Sequence, residues 1–447
     1  MVPPPATTSA DTVHYAGDSS VRELIRSVAV PSGTGQLWRK LLAFSGPGCL
    51  VAVGYMDPGN WATDIAGGSQ FGYAILPVIV LSNFVAIFLQ YLALKLGIAS
   101  GCDLAQACRR HYRKPATIVL WAAAEIAIVA CDLAEVIGTA VALQLLFRIP
   151  LLIGTGLTIV DTLFVMTLMN FGMRRMEAFI TSLFALIAGC FVIELLMAKP
   201  DMTAMTMSFA ESGRIAVNPD MLYIALGIFG ATVMPHNLYL HSSLVQSRRF
   251  ALTQESRREA VFFGTVDSTT ALMLALFVNA AILILAAAAF HGNGLTNVID
   301  ITQAHRLLTP LLGTVAGGIL FAVALLASGQ NSTITGTLAG QIVMEGMLEL
   351  KISRTLRRFL TRALAIVPVF AVVAVAGDGA ITRLLIFSQV VLSLQLTFAI
   401  VPLVMFTSDR KIMGAFVNSV PVRGAGFFLA ALVVAANVWL VLQTLMG

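Results

Sequence analysis

Eleven stretches of this chain are too apolar to face water, and each is long enough to cross a lipid bilayer. They run near 42–70, 72–96, 115–147, 150–170, 176–198, 220–247, 260–290, 308–348, 359–377, 380–407 and 425–446. A helix needs about 20 mainly apolar residues to span the hydrocarbon core. Inside lipid every backbone polar group must be satisfied by the segment itself, which leaves helices as the economical solution. The expected fold class is therefore an all-α membrane protein with eleven transmembrane helices. Several stretches exceed about 25 residues, so tilts, breaks or extensions into water are expected. The polar patch Ser328 to Thr337 marks the second half of the eighth stretch as a candidate for leaving the membrane.

Only 11% of the residues are charged, with mean hydropathy +0.87, against about 25% charged in globular chains. Lys and Arg test how the chain divides into spans, because they accumulate in cytoplasmic loops. With the N-terminus inside, all but five of the 28 Lys and Arg fall in cytoplasmic segments; the exceptions are Arg148, Lys199, Arg214, Arg306 and Arg383. Eleven spans then place the C-terminus outside. Residues 1–36 are rich in Pro, Ser, Thr and Gly without an apolar run, and read as a disordered cytoplasmic tail. The transmembrane domain is 37–447. No basic run with interleaved aromatics is present, which argues against nucleic acid as a partner. Cys49, Cys102, Cys108, Cys131 and Cys190 show no metal-ligand or disulfide spacing and read as small fillers.

Two spans carry a mid-course proline among polar neighbours: Gly54-Tyr-Met-Asp57-Pro58-Gly-Asn60 in the first, Ala231-Thr-Val-Met234-Pro235-His236-Asn237 in the sixth. Proline lacks the N–H that would bond the carbonyl four residues back. Pro58 therefore frees the carbonyl of Gly54, and Pro235 that of Ala231. Each break also has a potential ligand at minus one (Asp57, Met234) and an asparagine at plus two (Asn60, Asn237). The spans are five apart, so the second enters with opposite orientation. This is the signature of an inverted-repeat transporter whose substrate site lies between two discontinuous helices. The expected plan is a LeuT-like five-plus-five repeat with helices 1 and 6 discontinuous. Repeat one covers about 40–198, repeat two about 220–407, and an extra helix about 425–446.

An acid inside a span costs about 2.5–3.5 kcal/mol on insertion scales, and a bound dication would offset that cost at Asp57. Asp57, Asn60 and the carbonyls of Gly54 and Ala231 are hard oxygen ligands. Met234 adds a soft thioether, useless to Mg²⁺ or Ca²⁺ but suited to later first-row metals. Gln389, within the tenth span, is a further candidate ligand. The third span carries Glu125, Asp132 and Glu135 on one helical face, a pattern typical of proton relays. His236 follows Pro235 and titrates in the right range when unperturbed. Arg362, at the cytoplasmic start of the ninth span, is a partner for one of these acids. Asp161 and Asp267 are weaker candidates. The alternatives are a sodium-coupled carrier of amino acids or related solutes on the same plan, a channel, and a membrane hydrolase. The hydrolase lacks GxSxG and HExxH motifs.

At this point Asp57-Pro-Gly-Asn60 and the stretch Gly230-Ala-Thr-Val-Met-Pro-His-Asn-Leu-Tyr-Leu-His241 resemble the two signatures of the Nramp (natural resistance-associated macrophage protein) family. Asp132-Leu-Ala-Glu135, Ala327-Ser-Gly-Gln330 and Thr337-Leu-Ala-Gly340 are similar to further family stretches, and the resemblance covers roughly 40–445. It implies a secondary transporter, not an enzyme, importing Mn²⁺, Fe²⁺ or a similar ion together with protons. It implies metal binding by Asp57, Asn60 and Met234 with the Ala231 carbonyl, and by Gln389 in some conformations. It implies proton movement through His236, Glu135, Asp132 and Arg362. The metal is the substrate, and no permanently bound cofactor or obligatory protein partner is expected. The resemblance is to the bacterial branch, which places the chain in a bacterial inner membrane.

Overall fold

In the computed structural model both prolines begin new helices. It describes residues 26–31, 37–169, 171–210, 212–311, 315–350 and 352–446. The first broken span is α1 (Pro47–Gly54) followed by α2 (Pro58–Phe71). After α3 (Leu76–Ser100) come α4 (Lys114–Phe147), α5 (Leu151–Met169) and α6 (Met173–Ala198). The second broken span is α7 (Pro219–Val233) followed by α8 (Pro235–Leu244). The remaining long helices are α9 (Gln254–Ala289), α10 (Val315–Leu348), α11 (Arg354–Ala376), α12 (Ile381–Thr407) and α13 (Val420–Met446). Among the described residues, nine helical stretches have the length and apolar composition to cross a membrane. One of these, Pro58–Ser100, joins two of the expected spans, and the fourth expected span contributes the shorter apolar helix Leu151–Phe164.

Residues 26–31 lie within the stretch read as a disordered tail, yet they occupy a defined place. Val28–Ala29 pairs in parallel with Arg248–Arg249, just beyond α8. The rest of that stretch, 1–25 and 32–36, lies outside the described residues, apart from a short helix at Leu37–Phe44 that follows it.

The second half of the eighth span does not leave the bundle. Val315–Leu348 is one helix of 34 residues, and Ser328, Asn331, Ser332, Thr333, Thr335 and Thr337 are all buried. Its hydroxyls bond within the helix: Ser332 to the Ser328 carbonyl at 3.0 Å, Thr333 to that of Gly329 at 2.9 Å, Thr337 to that of Thr333 at 2.6 Å. These back-bonds occupy the hydroxyls inside the bundle, while both polar atoms of the Asn331 side chain are buried without a hydrogen-bond partner. Its glycines let α4 approach closely. A Cβ on Gly329 would come within 2.4 Å of Thr139 Oγ1, and one on Gly336 within 2.8 Å of Glu135 Oε1. Small residues at such contacts are the usual device for close helix packing in lipid.

α11 inverts the pattern of a water-soluble amphipathic helix. Arg357, Arg358, Thr361 and Arg362 are buried, while Leu356, Leu360, Leu364 and Val367 are exposed. The charged face turns inward to the acids of α4, and the apolar face is left for lipid.

Candidate metal site between the two broken helices

The two breaks meet, and each satisfies the other's backbone. Asn60 Nδ2 donates to the Ala231 carbonyl at 3.3 Å, the group that Pro235 frees. Asn237 Nδ2 donates to the Val51 carbonyl at 3.4 Å and lies 3.6 Å from Met234 Sδ. The asparagines at plus two are thus reciprocal cross-braces. Neighbouring helices supply the other donors. Asn279 of α9 donates to the Tyr55 carbonyl at 2.7 Å, and Ser328 of α10 donates to that of Met56. Tyr55 Oη donates to the Val233 carbonyl at 3.3 Å and accepts from Gln90 at 2.7 Å; Gln90 Oε1 lies 2.9 Å from His241 Nδ1. An open carbonyl in hydrocarbon costs several kcal/mol, so this bonding is what makes unwound backbone tolerable here.

Asp57 caps α2: its Oδ1 accepts from the Asn60 amide at 2.8 Å. Its Oδ2 faces the Cys131 thiol, 4.0 Å away. Met234 links α7 to α8 with φ 37° and ψ 94°, a left-handed backbone that side chains rarely adopt. Gln389 of α12 rests on the first turn of α2; a Cβ on Gly59 would fall 1.9 Å from its Nε2. Asp57, Asn60, Ala231, Met234 and Gln389 are each at most 1% exposed, and Gly54 is buried beside Asn237. Asn60 Oδ1 and Gln389 Oε1 are buried without a hydrogen-bond partner. Buried oxygens of this kind are normally bonded; here they are acceptors available to a cation. Among the described residues no three of His, Cys, Asp and Glu gather into a metal-holding group. Any cation held at this place therefore depends on one carboxylate with amide, carbonyl and sulfur donors.

The expected proton residues divide into two groups. Arg358 Nη2 lies 2.8 Å from Asp132 Oδ1 and 3.0 Å from Glu135 Oε2. Arg362 Nη1 lies 2.9 Å from Asp132 Oδ1 and is steadied by Thr162 and Thr333. Two acids and two guanidinium groups form a neutral quartet, each at most 1% exposed. Glu125 is not part of it; it pairs with Arg357 at 2.8 Å and is partly exposed. His236 is buried with both ring nitrogens unpartnered, so no bond ties it to the quartet. Asp161 Oδ2 is buried without a partner. Asp267 serves the backbone instead, its Oδ2 accepting from Gly48 N at 2.7 Å and so holding the start of α1.

Several participants were passed over in the sequence. Arg357 and Arg358 look like ordinary cytoplasmic loop charges until α11 is seen to turn them inward. Asp64 and Glu194 are buried acids with unpartnered oxygens; an acid within an apolar run was the signal for both. Cys131, read as a filler, lies 4.0 Å from Asp57 Oδ2 and 3.7 Å from Glu135 Oε1, and packs with Met234.

Known proteins resemble this chain over nearly its whole length. The family model described as natural resistance-associated macrophage protein-like matches residues 48–443. The divalent metal cation transporter MntH of Mesorhizobium japonicum is 55% identical over 448 residues, covering 99% of this chain and 98% of its own. That of Listeria innocua is 54% identical over 426 residues, covering 95% of each. The crystal structure of the Eremococcus coleocola manganese transporter superposes with a TM-score of 0.85 at 38% identity, covering 94% of this chain and 90% of that one. A nucleobase-cation-symport-1 family transporter (TM-score 0.59, 15% identity) and MhsT (0.55, 14%) share the fold alone. With nearly its whole length matched, the chain belongs to the Nramp family.

Proposed function

We propose that this chain imports a divalent transition-metal ion, Mn²⁺ or Fe²⁺, across a bacterial inner membrane by alternating access, with protons moving alongside. The observation that carries the reading is the meeting of two proline breaks around Asp57, with Asn60 Oδ1 and Gln389 Oε1 buried and unpartnered. In this reading the metal exchanges most of its water for Asp57 Oδ2, Asn60 Oδ1, the Ala231 carbonyl and Met234 Sδ. Gln389 and the Gly54 carbonyl complete the shell in particular conformations. A cation would replace the 3.3 Å Asn60–Ala231 bond as the partner of that carbonyl. One carboxylate with one thioether suits a late first-row ion held loosely enough to leave.

Protons leave Asp57 toward the quartet of Asp132, Glu135, Arg358 and Arg362. His236 and Glu125 are further proton-handling groups in this reading. An inward-negative potential of 100 mV adds about 2.3 kcal/mol per charge to inward cation flow. The chain crosses the membrane eleven times, with its N-terminus in the cytoplasm and its C-terminus outside; the division of Lys and Arg supports that orientation. The transmembrane domain begins near residue 37. It comprises one repeat over about 40–198, its inverted counterpart over about 220–407, and the helix at about 425–446.

Titration calorimetry of Mn²⁺ into purified protein tests the site. Native protein should bind, and Asp57→Asn should weaken binding at least about tenfold, equivalent to about 1.4 kcal/mol. Equal affinity in the two proteins would remove Asp57 from the site.

A further inference from the structure

Cys131 occupies a position that its residue type alone does not explain. It lies on α4, one turn before Glu135, with its side chain directed at the α2 break. Its sulfur is 3.7 Å from Glu135 Oε1 and 4.0 Å from Asp57 Oδ2. It shares a small buried cluster with Ala127, Leu392 and Met234. Cys131 Sγ therefore lies beside the Asp57 carboxylate and in one cluster with Met234, while Asn60 Oδ1 and Gln389 Oε1 are buried without a partner.

The 4.0 Å gap has a direct geometric meaning. Zinc–sulfur and zinc–carboxylate bonds are about 2.3 and 2.1 Å, and the larger Cd²⁺ reaches further. Their sum exceeds the gap, so one ion can touch both atoms, with an S–metal–O angle of about 130°. The thiol has one proton. Donated to the nearer acceptor, Glu135 Oε1, it leaves the sulfur lone pairs turned toward Asp57. The sulfur can then face a cation as a neutral soft donor, as the thioether does.

We propose that Cys131 is a second soft donor of the metal site and sets its preference for thiophilic dications, Cd²⁺ above all, over Mn²⁺. The proposal rests on the Asp57 site being the metal site. Sulfur ligands favour softer ions over Mn²⁺, whose preference is for oxygen. With one sulfur removed, Cd²⁺ should lose far more than Mn²⁺.

The test is competitive uptake in proteoliposomes together with X-ray absorption of protein loaded with less than one equivalent of Cd²⁺. Cys131→Ser and Cys131→Ala should each lower the Cd²⁺-to-Mn²⁺ affinity ratio about tenfold or more, while Cys190→Ala leaves it unchanged. Cadmium in the native protein should show two sulfur neighbours, and cadmium in Cys131→Ser or Met234→Ala one. An unchanged ratio, or a single sulfur in native protein that survives Cys131→Ser, overturns the proposal. The native spectrum decides even if both Cys131 variants fail to fold. Native protein that carries neither ion would instead defeat the transport reading itself.

Discussion

Asn237 shows how much a single side chain does in this molecule. It has no charge and no titration, yet it closes the Val51 carbonyl, contacts the Met234 sulfur and fills the space over Gly54. Removing one partner of a buried hydrogen bond costs about 1–3 kcal/mol. Asn237→Ala should therefore lower the thermal midpoint in detergent and weaken Mn²⁺ binding, because Met234 loses its brace. A variant as stable as native protein, binding Mn²⁺ equally well, would show that the brace is dispensable. Asp57, Asn60, Met234 and the two prolines were legible in the sequence because proline chemistry fixes which carbonyl is freed, and the two breaks repeat the same spacing. Cys131 was not legible. The sequence beside it drew attention to Asp132 and Glu135 rather than to the thiol; only the packing of α4 against Pro58 brings it to Asp57. That packing needs Gly138, where a Cβ would lie 2.1 Å from Pro58 Cγ.

Whole elements carry the charge balance. α11 delivers Arg358 and Arg362 to the two acids of α4, and the quartet is stable only as a set. Removing one member of a buried ion cluster typically costs about 3–5 kcal/mol, because the remaining charge is left uncompensated. Arg358→Gln should lower the thermal midpoint sharply, and proton flux measured with a pH dye inside vesicles should fall with it. Undiminished proton flux in a folded Arg358→Gln protein would exclude the quartet from the path. The pairing itself escaped the sequence, where Arg362 was the only cation on that helix singled out. Three arginines at 357, 358 and 362 differ only in helical phase, and phase relative to α4 is set by tertiary packing.

A shorter element gives a pH prediction. Asp103 caps the helix Leu104–His111, accepting from the Gln106 amide at 2.8 Å, and is buried against Gly346 of α10. Burial pushes its carboxyl up to about 7 from an ordinary 3.8, opposed by amide bonds from Gln106 and Ala105 and by Arg109 and Arg110. Between these values the folded protein binds more protons than the unfolded chain. Stability therefore falls as pH rises through that window and stays low above it. Asn is an equally good N-cap. Asp103→Asn should flatten the fall in thermal midpoint between about pH 4 and 7 and raise the midpoint at about pH 8. An unaltered pH profile would mean that Asp103 is not the group responsible.

At the scale of the molecule, hydrophobic length alone identified a helical membrane protein, and the odd separation of the two breaks identified an inverted repeat. The polar patch of the eighth span read as a candidate for leaving the membrane because polarity in a sequence suggests solvent, whereas the patch is buried inside the bundle. Ser328, Thr333 and Thr337 spend their hydroxyls within the fold instead. The strand at Val28–Ala29 was illegible for the opposite reason: two residues carry no periodicity, and their partner lies more than 200 positions away. The broken helices, held between α4, α9 and α10, form the moving part of the proposed cycle, and selectivity is its most exposed claim. The direct measurement is uptake of Mn²⁺ and Ca²⁺ into proteoliposomes by native protein and by Met234→Ala, read with a divalent-sensitive dye under an inward-negative potential. The account predicts that native protein carries Mn²⁺ but not Ca²⁺, and that Met234→Ala gains Ca²⁺. Absence of Mn²⁺ uptake by native protein, or Ca²⁺ exclusion that persists in Met234→Ala, would contradict it.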